Sequence, residues 1–312
     1  MKIAFIVDPI EKLKPYKDSS VAMMRAAQKR GHEVFAVMRQ HLVIRDGVVS
    51  ALGTPLEVRD DNASWYAVNG SAVTLPLTAF DAILMRQDPP FDAEYVTATW
   101  MLERAVAQGA RVFNNPRAIR DHSEKVSIAE FPQFTPTTLI ARDTTAIQAF
   151  IDELGDVILK PLDGMGGSGI FRVRHDDPNR NAIIEAVGDN GQRTIMAQRY
   201  LPAISEGDKR VLLIAGKVMP WCLARIPKSG ETRGNLAAGG TGVAMPLTAR
   251  EREIAEALAP ILWQRGLLIV GLDMIGGHLT EINVTSPTCM VEIAQQAQYD
   301  IPEQVIIALE SL

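Results

Sequence analysis

The chain has few cysteines, no long apolar run and no excess of positive charge. Its 312 residues include only Cys222 and Cys289, which cannot build a disulfide framework and suit a reducing compartment. No apolar run reaches the roughly 20 residues that a membrane-spanning helix needs. The net charge of −5, without a dense run of lysine and arginine, argues against nucleic acid as a partner. We therefore expect a cytoplasmic protein that binds neither membranes nor nucleic acid.

Two common nucleotide-binding motifs are also absent. The first predicted strand, "KIAFIV", is not followed by G-x-G-x-x-G, so the N-terminal segment is a poor dinucleotide binder. Gly164 and Gly169 have the glycine spacing of a Walker A motif, but Ile170 and Phe171 follow them instead of a lysine and a hydroxyl residue. The histidines show no spacing typical of metal ligands. These absences argue against a Walker A phosphate loop and against a dinucleotide-binding N-terminal domain.

Apolar periodicity predicts an α/β organisation. With 47% hydrophobic residues the chain can bury a large core, and its length favours about two domains. Strand and helix patterns alternate along the N-terminal segment, where Asp18 or Ser19 would cap the helix "SVAMMRAAQKRG" and Gly31 would end it. From Thr137 to Tyr200 the predicted order is strand, helix, strand, glycine-rich loop, strand, helix, strand. Further strands and helices follow to the C-terminus.

The glycine-rich loop lies in "ILKPLDGMGGSGIFRV", where four glycines fall between Gly164 and Gly169. Because "IFRVRHD" alternates apolar and polar residues, the loop joins two strands and does not open a helix. Its backbone N–H groups are free to cover an anion. Lys160, at the end of the preceding apolar strand, places a positive charge beside it. The competing interpretation is an ordinary loose hairpin.

A second candidate site lies in "GLDMIGGHLTEINV". Glu281 and Asn283 are two residues apart on a strand and so share a face, with Asp273 on the preceding strand. Three oxygen donors of this kind are what Mg²⁺ prefers. A two-residue turn at Gly276 and Gly277 would put Asp273 on the opposite face, whereas a three-residue turn would pair it with Glu281. The competing interpretation is a solvated hairpin with ordinary acids.

Several motifs together resemble the bacterial glutathione synthetases, a family of ATP-grasp ligases. Lys125, Lys160, the glycine loop and the late E-x-N occur in the order typical of ATP-grasp proteins. The closer resemblance rests on "LMRQDPPFD", "ILKPLDGMGG", "GETRGNLAAGG" and "LTEINVTSPTC" and runs from about residue 4 to the C-terminus. The segment 39–75 carries no such motif.

The resemblance implies a fold, a domain order and an assembly. The fold would be α/β (an α+β ATP-grasp), with an N-terminal open parallel α/β domain at 1–120. A small lid subdomain of the ATP-grasp unit would follow at 121–200, and a C-terminal catalytic subdomain at 201–312. The assembly would be a homo-oligomer, a tetramer in this family.

The resemblance also implies an activity. ATP would phosphorylate the cysteinyl carboxylate of γ-glutamylcysteine to an acyl phosphate, glycine would attack it, and glutathione, ADP and phosphate would leave. The cofactor would be Mg²⁺, with Mn²⁺ as the alternative. Two other interpretations stay open. One is a different ATP-grasp ligase, acting on D-alanine or adding glutamate to a peptide. The other is a nucleotide-binding regulator without turnover, for which loss of a metal ligand or phosphate lysine would be typical.

Site residues follow from the resemblance position by position. Those for ATP are Lys125 and Lys160 on the phosphates, Gly164, Gly166, Gly167 and Ser168 in the covering loop, Gln198, Tyr200 and Leu201 near adenine, and Asp208 on the ribose. The metal ligands would be Asp273, Glu281 and Asn283. Catalytic arginines would be Arg210, Arg225 and Arg233, and substrate residues Arg86, Ser19 and Asn235. Ion pairing would equally explain Arg210 and Arg225, strand-end packing would explain Arg86, and helix capping would explain Ser19.

One long segment is predicted to act as a lid. The segment Ile226–Gly242, "IPKSGETRGNLAAGGTG", has five glycines and no apolar periodicity. Loops of this length in compact domains are usually functional or disordered. A segment that excludes water while an acyl phosphate reacts is what the chemistry needs, and Arg233 would reach the substrate on closure. The competing interpretation is an idle surface loop.

Overall fold

A computed structural model describes all residues, 1–312. The N-terminal part is built on a seven-stranded sheet in the order β4-β3-β2-β1-β6-β7, with β5 paired to β3. Its strands are β1 (Lys2–Val7), β2 (Glu33–Arg45), β3 (Val48–Val58), β4 (Tyr66–Val68), β5 (Val73–Pro76), β6 (Ala82–Met85) and β7 (Val112–Phe113).

The sheet combines a parallel part with an antiparallel extension. Strands β2, β1, β6 and β7 pair in parallel, as the alternating pattern predicts. Strand β3 returns antiparallel to β2, and β4 and β5 pair antiparallel to β3. The segment 39–75, which carries no motif, therefore forms most of this extension. The predicted open parallel sheet is correct for four strands and incomplete for the other three.

Side-chain caps place the helices that cover the parallel strands. Helix α1 (Ser19–Lys29) begins after Asp18, whose carboxylate accepts hydrogen bonds from Ser20 N at 2.7 Å and Val21 N at 3.0 Å. Helix α2 (Ala93–Ala107) begins after Asp92 in the same manner, and α3 (Pro116–Asp121) begins on a proline. Caps therefore fix where these helices start.

The middle of the chain forms a separate four-stranded sheet in the order β10-β9-β11-β8. The predicted order of strands, helices and glycine loop is confirmed. Its elements are β8 (Thr138–Ala141), α4 (Thr144–Leu154), β9 (Asp156–Pro161), β10 (Phe171–Arg174), α5 (Arg180–Gly188) and β11 (Ile195–Arg199). A small apolar cluster, including Ile151 and Val157, lies between this sheet and its two helices.

The C-terminal part contains a five-stranded antiparallel sheet in the order β14-β13-β12-β15-β16. Strand β14, which begins at the end of the predicted lid, lacks the alternation of apolar and polar residues that would have revealed it. The elements are β12 (Asp208–Ile214), β13 (Lys217–Ile226), β14 (Thr241–Pro246), α6 (Ala249–Gln264), β15 (Ile269–Ile275), β16 (His278–Asn283), α7 (Met290–Ala297) and α8 (Ile301–Glu310). None of the helices in the molecule has the length and apolarity that crossing a membrane requires.

The largest apolar cluster belongs to both ends of the chain. Phe5 and Met23 of the N-terminal sheet layer pack in one buried cluster with Leu212 of β12 and with Ile293 and Ile306 of the last two helices. The predicted domains 1–120 and 201–312 therefore bury a common core. That division stays a prediction, because sequence order and packing divide the molecule differently.

Candidate active site

One cavity of about 360 Å³ lies where the small sheet faces the C-terminal sheet. Its walls come from distant parts of the chain, including the glycine loop, the start of β12 and the end of β16. The predicted site residues on its walls are Lys125, Lys160, Gly164, Gly166, Gly167, Ser168, Gln198, Tyr200, Leu201, Asp208, Arg210, Arg225, Arg233, Asn235, Asp273, Glu281 and Asn283.

The three predicted metal ligands come together by a route that the sequence did not predict. The turn between β15 and β16 has two residues, Gly276 and Gly277, both with positive φ (54° and 73°). The inference that a two-residue turn would put Asp273 on the opposite face is therefore wrong. An irregularity follows within the hairpin, because Met274 pairs with Leu279 while Asp273 pairs with Glu281. This β-bulge restores the register that brings Asp273 opposite Glu281.

Asp273 is held by two arginines at the base of the cavity. Its Oδ1 accepts from Arg210 Nε at 2.5 Å, and its Oδ2 accepts from Arg210 Nη2 and Arg225 Nη2, each at 2.9 Å. Burial disfavours the charge on Asp273, but the charges of Arg210 and Arg225 outweigh it and hold the pKa well below its usual value. Arg225 also pairs with Asp208 at 2.5 Å.

The Asp208 carboxylate is only partly satisfied. Burial raises the pKa of Asp208 to about 6, even though the Arg225 charge opposes this. Its Oδ1 is buried and has no hydrogen-bond partner. A buried acceptor without a donor costs free energy in the isolated protein, so this atom offers a partner to a hydroxyl group that enters the cavity.

Two buried lysines line the same cavity. Lys125 Nζ donates to Gly164 O at 2.8 Å and to Glu281 Oε1 at 2.9 Å. Burial opposes its charge, but Glu281 raises the pKa of Lys125 above its usual value. Lys160 Nζ donates to Gln198 Oε1 at 3.1 Å, and burial lowers the pKa of this lysine. Both amines point into the space that the glycine loop covers, so they suit anionic oxygens there.

The oxygen donors fit a magnesium ion. Asn283 Nδ2 donates to Gly271 O at 3.2 Å, which leaves the amide oxygen without a protein partner. Glu281 uses only Oε1, on Lys125. No group of three His, Cys, Asp or Glu side chains forms a complete metal site. Two carboxylates and an amide are an incomplete oxygen shell of the kind that Mg²⁺ completes with phosphate oxygens and water.

The glycine loop and the lid lie against each other. Gly166 and Gly167 have positive φ (62° and 85°), a conformation that other residues rarely adopt. Gly167 O accepts from Arg233 Nη1 at 3.3 Å. A Cβ on Gly167 would lie 2.8 Å from Asn235 Oδ1. These contacts require a residue without a side chain where the lid meets the loop.

Arg86 and Ser19 are not brought to the cavity wall. Arg86 is 4% exposed and donates to Ser20 Oγ at 3.2 Å and to Pro287 O at 2.8 Å. Ser19 Oγ accepts from Met290 N at 3.3 Å. Both side chains contact the segment between β16 and α7, and Arg86 Nη1 is buried without a hydrogen-bond partner. Their assignment as substrate residues stays a prediction.

Sequence reasoning missed Glu124, whose side chain lines the cavity beside Lys125. Its Oε1 accepts from Val284 N, Thr285 N and Thr285 Oγ1 at 2.9, 3.0 and 2.8 Å. Its backbone oxygen accepts from Ile282 N at 2.9 Å. Glu124 therefore fixes the end of the strand that carries Glu281 and Asn283. The only signal in the sequence was its position next to a predicted phosphate lysine.

Comparison with solved structures shows the class of fold. The D-cycloserine synthetase DcsG has a TM-score of 0.67 at 14% identity, covering 99% of each chain. The ATP-grasp ligase PsnB complexed with minimal precursor has a TM-score of 0.64 at 18% identity, covering 100% of this chain and 98% of that one. At such identities the likeness concerns the fold alone, which is that of an ATP-grasp ligase.

Comparison with sequences shows the family. The model of the prokaryotic glutathione synthetase N-terminal domain matches residues 1–120, and that of the ATP-grasp domain of the same family matches residues 124–298. The chain belongs to the prokaryotic glutathione synthetase family. A glutathione synthetase of Ralstonia nicotianae is 57% identical over 99% of this chain and 95% of its own. One of Vibrio cholerae is 52% identical over 96% and 94%.

Proposed function

We propose that the protein joins γ-glutamylcysteine to glycine at the expense of ATP, forming glutathione, ADP and phosphate. The observation that carries this is the convergence of two buried lysines, two buried arginines and three metal-type oxygen donors on one cavity. Full-length relatives at 50–57% identity bear the name glutathione synthetase. Phosphoryl transfer needs this combination of charge neutralisation and positioning, and it needs no protein nucleophile.

The phosphates of ATP would lie under the glycine loop. Lys125 and Lys160 neutralise their charge, and the free N–H groups of the loop donate to their oxygens. Asp273, Glu281 and Asn283 would hold Mg²⁺, with Mn²⁺ as the alternative for the same oxygen donors. When bound, the metal would neutralise phosphate oxygens during transfer. The unpaired Oδ1 of Asp208 would accept a ribose hydroxyl.

The substrate carboxylate would lie at the arginines. Arg210 and Arg225 have planar, permanently charged donors that suit carboxylate and phosphate oxygens. They hold the acyl phosphate while the glycine nitrogen forms its bond to the carbonyl carbon and the phosphate departs. Arg233 and Asn235 complete the enclosure from the lid, which keeps water from the acyl phosphate.

A phosphate-release assay tests the proposal. With γ-glutamylcysteine, glycine, ATP and Mg²⁺ we expect phosphate and glutathione in equal amounts, with no comparable release when D-alanine replaces both amino substrates. Release with D-alanine would favour another ATP-grasp ligase. Nucleotide binding without turnover on any substrate would favour a regulator, although both lysines and all three metal donors are present here.

Assembly and location are part of the same proposal. We infer a cytoplasmic homo-oligomer, a tetramer as the family resemblance implies. Val43 and Val48 share one face of the hairpin between β2 and β3 and are 48% and 47% exposed, an apolar surface that a second copy would cover. Light scattering should give the mass of four chains, and a monomer would refute the assembly.

A further inference from the structure

A group of side chains outside the cavity holds one part of the cavity wall. Tyr200 and Leu201 connect β11 to the short turn Pro202–Glu206, and both line the cavity. We call these two residues the connector. Arg172 on β10 and Asp156 on β9 lie beside the connector but not on the cavity wall. Neither has a part in the chemistry described above.

Arg172 and Asp156 contact Tyr200 at two places, its ring and its backbone. Arg172 Nε and Nη2 donate to the two oxygens of Asp156 at 2.9 and 2.6 Å, a bidentate pair. The guanidinium carbon lies 3.6 Å from the centroid of the Tyr200 ring. Asp156 O also accepts from Tyr200 N at 3.1 Å. A single aspartate therefore holds the connector through its backbone and, by way of Arg172, through the tyrosine ring.

The connector presents unused hydrogen-bonding groups. Tyr200 C=O and Leu201 N–H make no hydrogen bond within the protein, whereas Leu201 C=O accepts from Ile204 N at 3.1 Å. Unpaired backbone groups on a cavity wall call for a ligand or water. An acceptor beside a donor matches the edge of adenine, where an amino group lies beside a ring nitrogen.

We propose that Arg172, oriented by Asp156, is a positioning residue for the nucleotide base. It sets the place of the connector, so that Tyr200 C=O and Leu201 N–H meet the adenine edge. The inference rests on the proposed function, because it takes ATP as the nucleotide. Arg172 also lies just after the glycine loop (Gly164–Gly169) on β10, so it ties the strand that follows this loop to the wall that meets the base.

A purely structural role is separable from this one. The side chains of Arg172 and Asp156 are 28% and 30% exposed, and ion pairs with such exposure contribute little to stability. Loss of the pair should therefore leave the protein folded. A role in positioning the base should reduce the affinity only for ligands that carry a base.

Calorimetric binding of two ligands in Mg²⁺ tests the inference: ADP, which has a base, and inorganic tripolyphosphate, which has none. We expect Arg172→Ala to weaken ADP binding about tenfold or more, at ~1.4 kcal/mol per tenfold, and to leave tripolyphosphate binding unchanged. Asp156→Asn should weaken ADP binding in the same direction and less. Arg174→Ala is the matched control, since Arg174 lies on the same strand, 61% exposed and 3.9 Å from Asp156; it should change neither.

Steady-state kinetics give a second readout. Arg172→Ala should raise KM for ATP and leave KM for γ-glutamylcysteine unchanged. An equal loss of affinity for ADP and tripolyphosphate would overturn the inference. Unchanged ADP affinity in both Arg172→Ala and Asp156→Asn would overturn it as well. If Arg172→Ala does not fold, the ADP and tripolyphosphate affinities of Asp156→Asn alone test the inference. A wild-type protein that binds tripolyphosphate but shows no preference for ADP overturns this inference alone, whereas one that binds neither overturns the proposed function as well.

Discussion

At the scale of single residues, the site is organised by charges that hold one another in place. Glu281 pairs with Lys125, and Asp273 pairs with Arg210 and Arg225. Such buried pairs contribute little net stability, because desolvation offsets their attraction. These pairs hold the charged side chains in fixed positions, in which they can bind a substrate that carries charges of its own.

Glu281 gives the clearest test of the metal site. Glu281→Gln keeps the shape and an oxygen for Lys125 but removes a charge from the proposed metal ligands. We expect turnover to fall by about 10²–10³-fold. The circular dichroism spectrum should stay close to the wild type, and the melting temperature should fall, because buried Lys125 loses its counter-charge. Glu253→Gln, on the exposed face of α6, is a control that should be silent. Near-normal turnover of Glu281→Gln at ordinary magnesium would remove Glu281 from the site.

The lid arginine has a neighbour that orients it. Glu231 Oε2 accepts from Arg233 Nη2 at 2.6 Å, and Oε1 accepts from Arg233 Nε at 3.0 Å. The Arg233 side chain lowers the pKa of Glu231 to about 2, so the carboxylate is ionised throughout the working pH range. We expect Arg233→Ala to reduce turnover strongly and Glu231→Ala to reduce it less.

A double-mutant cycle separates orientation from an independent effect of Glu231. If Glu231 acts through Arg233, then Glu231→Ala should have no further effect on turnover in the Arg233→Ala background. An undiminished effect of Glu231→Ala in that background would contradict the orienting role.

At the scale of elements, the lid (Ile226–Gly242) and the glycine loop meet through Arg233 and Gly167. Lys228 is exposed and the lid has few apolar contacts, so its opening should cost little. We expect trypsin to cut the free protein after Lys228 or Arg233. ATP, Mg²⁺ and γ-glutamylcysteine together should slow that cleavage markedly, because closure buries both sites. Equal cleavage with and without ligands, read by gel electrophoresis, would make this segment an idle loop.

Much of the site could be predicted at this scale, and the rest could not for physical reasons. Lys125, Lys160 and the E-x-N pair follow from short motifs, because their chemistry requires particular residue types in order. The bulge that brings Asp273 to Glu281 has no such signature, since many residues tolerate it. The apolar residues of strand β14, Val243, Ala244 and Met245, do not alternate with polar ones, and Glu124 acts through backbone groups of a segment far along the chain.

At the scale of the whole molecule, the two ends of the chain share a core, and we expect them to unfold together for that reason. Sequence order places 1–120 and 201–312 in different domains, and local patterns carry no information on contacts between distant segments. The structure joins them, since α8 at the C-terminus packs on the N-terminal α1 and buries Ile306 and Leu309 in the cluster that contains Phe5. The small sheet has a cluster of its own, and so does one side of the N-terminal sheet, where Ile6 and Leu102 belong to a cluster built from residues 4–119 alone.

Ile306→Ala tests this shared core. The residue is fully buried, so the substitution should cost ~2–5 kcal/mol. Trp65 belongs to the same cluster from the N-terminal side, and Trp263 packs against it from α6. Variants in which Trp65 or Trp263 is the only remaining tryptophan should therefore show the same unfolding transition in urea. Ile306→Ala should lower the urea midpoint equally for both tryptophans. Ile151→Ala, in the separate cluster of the small sheet, is the matched control and should shift these two reporters less. If Ile306→Ala displaces the Trp263 transition but leaves that of Trp65 in place, the two ends of the chain fold as independent domains after all.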